Sequence, residues 1–339
     1  MTEQDYIELN NYMNDVFLKL EEKDYFFLEN IEMIKYLGDK YCDIIEKFDL
    51  KDNKKENNIS FDEVYLLARE VIESINPNYL KEFDNLISTG ELDFDYEDKY
   101  FDSHLTKLNN EEYTRLINVK RTYNYEEVKT LVHEFFHYTN ITKNSIKRYL
   151  LGEYISISSE IYAEEYMVNK GIDRNEVSSK FRLKTTYDRY CDISWVIDAL
   201  IIYKNIGNLN KKDIDFIQEN ITDIEPDEFE TQCKRLLHFF RTNNDKYNPD
   251  QPDLKVEYDE HFSVMCQYLL GTLLAFYTKD HVDKKDFVYI NDHINDDNGL
   301  FIIDTLQNSG IDLEKEDTIL KIFDSIENYL NKFNSKKVM

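Results

Sequence analysis

The chain has 339 residues, 42% of them hydrophobic, and a formal net charge of −27. That length supports one large domain or two modest ones with a sizeable core, and that apolar content excludes a disordered chain. A surface this acidic repels phosphate backbones and anionic headgroups, so neither nucleic acid nor membrane is expected as a partner.

The scarcity of glycine (8) and proline (4) disfavours a turn-rich β-sandwich. The first ten residues, MTEQDYIELN, carry no basic and then apolar secretory pattern. Cys42, Cys191, Cys233 and Cys266 lie far apart without a CxxC pair, as expected for reduced thiols in a cytoplasmic protein.

Helical stripes run from Tyr6 to Leu20 and from Ile31 to Ile45. Lys51–Asn58 reads as a charged loop, and Phe61–Ile75 as a helix capped by Ser60 and closed before Pro77. Residues 90–112 show the least periodicity. Over 113–123, Leu116, Ile117 and Val119 among Thr and Tyr predict a strand. Asn124, with Glu127 three positions on, imitates a capping box and opens a helix over about 125–138. Further helices are expected over Glu153–Asn169, closed by Gly171, then Tyr187–Asn205, Lys212–Asn220, Pro226–Thr242, His261–Lys279 and Ile319–Phe333. The expected fold is mainly α, with a small β-sheet next to the helix at 125–138. A helical region over 1–110 would precede a catalytic region over 111–339.

That helix carries His133-Glu134-Phe135-Phe136-His137, an HExxH motif. Positions i and i+4 share a helix face, so two imidazoles can reach one metal ion while Glu134 sits beside them to activate water. Apolar Leu131, Val132, Phe135 and Phe136 would bury the other side of the helix. Catalytic zinc generally takes three protein ligands and leaves a fourth position open. The next helix offers Glu153, Glu160, Glu164 and Glu165, and the residues alone do not choose between Glu153 and Glu160.

These segments resemble zinc oligopeptidases of the thimet oligopeptidase and oligoendopeptidase F type. The resemblance rests on HEFFH, on Gly152-Glu153-Tyr154 followed by Glu160, on Leu116-Ile117-Asn118 leading towards Thr130-Leu131, and on Gln267-Tyr268-Leu269-Leu270-Gly271. It implies a helical metallopeptidase with one Zn²⁺ per chain, ligated by His133, His137 and Glu160. Glu153 and Glu164 would accept the outer ring N–H of a liganding histidine. The strand at 116–118 would be an edge strand pairing with substrate backbone. Tyr268, assisted by His261 or alternatively Tyr258, would donate to the oxyanion.

The expected activity is hydrolysis of oligopeptides or unfolded segments, with peptides as the partners. Phe136 departs from the family's glycine before the second histidine, and Ala163 from its serine. A glycine-rich substrate motif is missing, and the chain is short for the family. These departures keep two other readings open: a peptide-binding protein with a structural zinc, or a gluzincin protease specific for one protein.

Overall fold

A computed structural model describes residues 1–23, 25–50, 58–94, 104–108, 114–140, 153–220, 225–245, 258–293, 306–307, 310–313 and 315–334. At 22–23, 25–26, 104–108, 114–115, 140, 220, 243–245, 258–265 and 334 the backbone alone is described. The helices are α1 (Glu3–Lys23), α2 (Tyr25–Glu29), α3 (Ile31–Ile45), α4 (Phe61–Ile75), α5 (Leu80–Thr89), α6 (Glu126–Asn140), α7 (Tyr154–Asn169) and α8 (Arg174–Val177). They continue with α9 (Lys180–Ile206), α10 (Ile214–Asn220), α11 (Pro226–Asp245), α12 (Tyr258–His281), α13 (Lys284–His293) and α14 (Glu316–Asn334). The strands are β1 (Leu92–Asp93), β2 (His104–Leu108) and β3 (Thr114–Asn118). The fold is mainly α with a small sheet, and no helix among the described residues is long and apolar enough to cross a membrane.

Two compact units divide the chain: Met1–Asp43 with Thr186–Leu269, and Ile44–Thr185 with Leu270–Met339. The expected boundary at 110/111 falls outside the described residues, within the second unit's stretch of chain.

The first unit is helical. In it Tyr12 stacks on Phe240 at 5.1 Å, and Tyr190 donates to Asp39 and to the Lys35 carbonyl. None of the four cysteines forms a disulfide.

The second unit holds the sheet and the HExxH helix. The strand order is β1-β3-β2, with β3 parallel to β1 and antiparallel to β2. The expectation of an edge strand at 116–118 is therefore corrected. Leu92 pairs with Ile117 on one side and Leu105 on the other, so both flanks of β3 are occupied. The free edges among the described residues belong to β1 and β2.

Local signals account for how α4 and α6 begin. Ser60 Oγ accepts from the Glu63 N–H at 3.3 Å and Glu63 accepts from the Ser60 N–H at 3.0 Å, a complete capping box. At α6, Asn124 Oδ1 accepts from the Glu126 N–H at 2.9 Å. Glu127 reaches further back, to the N–H groups of Thr122 and Tyr123, so the pair ties the turn after β3 to the start of α6.

α6 then buries Val128, Leu131, Val132, Phe135 and Phe136 completely. Phe135 meets Phe83 edge-on at 5.1 Å, while Phe136 contacts Tyr79 at 5.8 Å and Phe287 at 6.0 Å.

α7 is covered on almost every side from Tyr154 to Ile161. Its buried serines are satisfied locally: Ser156, Ser158 and Ser159 donate to the carbonyls of Glu153, Tyr154 and Ser156. Glu164, fully buried further along, accepts from the Ser179 N–H and Oγ at 2.8 Å each, from Tyr329 at 2.9 Å and from Arg174 at 3.1 Å. Burial raises its carboxyl above the ordinary range, despite the opposing pull of Lys129 and these donors. Replacing Glu164 with Ala strands all of those donors at once. A loss of roughly 3–5 kcal/mol is expected for removing one partner of such a buried charged network, measured as the unfolding free energy in urea.

Candidate metal centre

HExxH geometry is realised on α6. His133 Nε2 and His137 Nε2 stand 3.0 Å apart, with ring centroids at 4.6 Å. Glu153, immediately before α7, places Oε2 3.5 Å from each of these nitrogens. Tetrahedral coordination at zinc bond lengths separates neighbouring donor atoms by about 3.3–3.5 Å. Two imidazole nitrogens and a carboxylate oxygen at 3.0, 3.5 and 3.5 Å thus fit a divalent ion in both spacing and chemistry.

Glu160, expected as the third ligand, is placed elsewhere. Its Oε1 lies 2.6 Å from His133 Nδ1, the nitrogen facing away from His137. The approach is not aligned as a regular ring N–H hydrogen bond, so the contact is chiefly electrostatic. The far side of the Glu160 carboxylate is gripped by Arg182, with Nε donating to Oε2 at 3.1 Å and Nη2 donating to Oε1. The physical reason for the correction is this two-pronged guanidinium contact, which commits both Glu160 oxygens. Glu153 and Glu160 are seven residues apart, two helical turns, and so lie along one side of α7. The former meets Nε2 of His133 and the latter Nδ1. Glu164, the other candidate for the outer ring N–H, instead anchors Ser179 and Tyr329.

The charges are strongly perturbed. Burial would raise the Glu153 carboxyl, but His137, His133 and Arg182 outweigh it and bring it down to about 2. For Glu160, burial is again opposed, by Arg182 and then His133, and the carboxyl falls far below the usual range. Burial would lower the His137 imidazole, yet Glu153 and then Glu134 lift it above its ordinary value. Glu134 is 6% exposed and makes no hydrogen bond or ion pair among the described residues.

Tyr268 is half-buried in the first unit, its ring 3.7 Å beneath the Arg189 guanidinium. His261 and Tyr258 lie in the N-terminal part of α12, and their side chains fall outside those described. Arg182 had no motif to mark it. Glu153 was marked by the Gly152-Glu153-Tyr154 segment and stood as an alternative to Glu160.

No family model matches the chain, and no curated protein matches it in sequence. Solved structures do match in fold. A protein from Bacillus anthracis str. Ames, described provisionally as an oligoendopeptidase F, aligns with a TM-score of 0.52 at 13% identity, over 96% of this chain and 57% of its own. A protein from Chlamydophila abortus, described provisionally as a peptidase, gives 0.49 at 14% identity, over 95% and 55%. PZ peptidase A, solved with an inhibitor, gives 0.45 at 12% identity, over 94% and 58%. The chain thus has the helical fold of the oligoendopeptidase F-type structure and spans little more than half its length.

The electrostatics can be checked without a metal. In the metal-free protein, His137 should titrate above the ordinary value of about 6.5, because its protonated form faces Glu153. In Glu153→Gln the largest opposing charge is gone, burial dominates, and the value should fall. Two-dimensional NMR of the imidazole protons reads both; an unchanged His137 would remove Glu153 from the centre.

Proposed function

We propose that the chain is a metal-dependent peptidase that hydrolyses oligopeptides or unfolded segments, with Zn²⁺ as the ion. The observation that supports it most is the convergence of His133 Nε2, His137 Nε2 and Glu153 Oε2, with an unpaired, nearly buried Glu134 on the same helix. His₂Glu is a donor set used by catalytic zinc in peptidases. A divalent ion bound there supplies Lewis acidity, acidifying water and polarising a carbonyl.

The chain's own groups divide the remaining work. Glu134 accepts the proton of the attacking water and returns it to the leaving amine. His133 presents Nε2 because Glu160 favours a proton on Nδ1, and Arg182 keeps Glu160 ionised and in place. An extended peptide could add to the sheet through β2, an edge strand of the described sheet. The resemblance supplies Tyr268, with His261, as donors to the oxyanion.

Glu134→Gln is isosteric but cannot take a proton. It should retain bound zinc while lowering kcat/KM on a quenched peptide library by about 10²–10⁴-fold. A wild type no faster than this variant ends the enzyme reading. If Tyr268 donates to the oxyanion, Tyr268→Phe should cut kcat by about 10²-fold with KM and zinc content unchanged. An unaffected kcat returns Tyr268 to a packing role beneath Arg189.

A further inference from the structure

We infer that Gly271, with Thr278 two turns along the same helix, is a positioning residue for the carboxylate of Glu153. The inference rests on the reading of Glu153 as a metal ligand. Gly271 sits inside α12 and is buried. A Cβ there would stand 2.9 Å from the Glu153 carbonyl carbon, 3.0 Å from Glu153 Cβ and 3.0 Å from the Tyr154 nitrogen. Ordinary contacts begin at 3.4 Å. Two of the three atoms are backbone and the third is fixed directly to it, so none can swing aside as the tip of a long side chain could.

Glycine is a poor residue in a helix interior, where alanine is intrinsically better. The backbone does not call for it either, since Gly271 is not among the glycines with positive φ. What remains is space: the missing side chain lets α12 lie directly against the residue that carries the third donor.

A second contact fixes the same spot. The Tyr154 hydroxyl and Thr278 Oγ1 are 2.6 Å apart, and both residues are fully buried. Gly271 and Thr278 are seven positions apart, hence on one face of α12. That face holds Glu153 and Tyr154 at two points, one through backbone proximity and one through a hydroxyl pair. Glu153 is the N-cap of α7, but its side chain makes no capping bond to the helix backbone, and within α7 only the Ser156 hydroxyl reaches its carboxylate, at 3.5 Å. A metal donor must be held within about 0.5 Å of its productive position, and the shift that a Cβ at 271 demands is of that size.

The test uses the full chain, with Zn²⁺ affinity measured by chelator competition and the visible spectrum of the Co²⁺-loaded protein reporting the donor set. Wild type, Glu153→Gln, Gly271→Ala and Thr278→Val are compared, together with the melting temperature of each metal-free form. Gly271→Ala should weaken Zn²⁺ binding about 10–100-fold, as loss of an outer support does elsewhere, and its cobalt spectrum should move towards that of Glu153→Gln. Thr278→Val should move both readouts in the same direction by less. A Gly271→Ala protein with wild-type affinity and spectrum overturns the inference, whatever its melting temperature. If that variant does not fold, wild-type behaviour of Thr278→Val does so instead. A wild type that binds no Zn²⁺, or a Glu153→Gln protein that binds as well as wild type, sinks the reading of the site and not the packing argument.

Discussion

His133 is addressed from both of its nitrogens by one neighbouring helix, and the rest of the site follows from that constraint. Nε2 faces Glu153 and Nδ1 faces Glu160, so the imidazole is oriented by two carboxylates two turns apart. An arrangement of this kind requires α6 and α7 to lie in contact along their length, with α7 buried on nearly all sides. A buried helix cannot leave polar groups unpaired. Its serines accordingly bond back to its own carbonyls, and Glu164 is enclosed by donors. The acidic groups facing α6 are thus held by a rigid element, which is what a coordination site needs.

Charge balance makes the same point. Glu134, Glu153 and Glu160 are all nearly buried around the two imidazoles, and Arg182 is the cation paired directly with one of them. Among the described residues, three carboxylates against one guanidinium leave two negative charges when the histidines are neutral, as metal binding would require. Buried charge of one sign is costly unless compensated, and a divalent cation compensates it fully. Glu153 and Glu134 correspondingly lift the His137 imidazole above its ordinary value.

What could be read from the sequence was local. Ser60 and the HExxH pair act within one or two turns of chain, and each sits where its spacing predicts, whereas Asn124 bonds to Glu126 and does not form the expected reciprocal pair with Glu127. The third donor was ambiguous for a definable reason. Glu153 and Glu160 share a side of α7, and choosing between them requires the axial offset of α6 against α7, which no intrahelical period encodes. Arg182 engages Glu160 and leaves Glu153 facing the two Nε2 atoms, but it lies in another helix, 22 residues beyond Glu160. The central position of β3 was hidden likewise: its parallel neighbour β1 is two residues long, too short to show alternation.

One departure from the oligoendopeptidase F pattern, and one residue that matches it, have a physical context. Phe136 stands where the resemblance expects a glycine beside the second histidine, and its ring packs against Tyr79 and Phe287. That bulk is fully buried. Gly271 matches the glycine of that pattern at a place where a side chain would strike the backbone of Glu153. Packing here can thus absorb a large ring at one position while leaving no room for a methyl group at another. Tolerance to substitution around this site depends on which side of the helix the added atoms enter, more than on distance in sequence from HExxH.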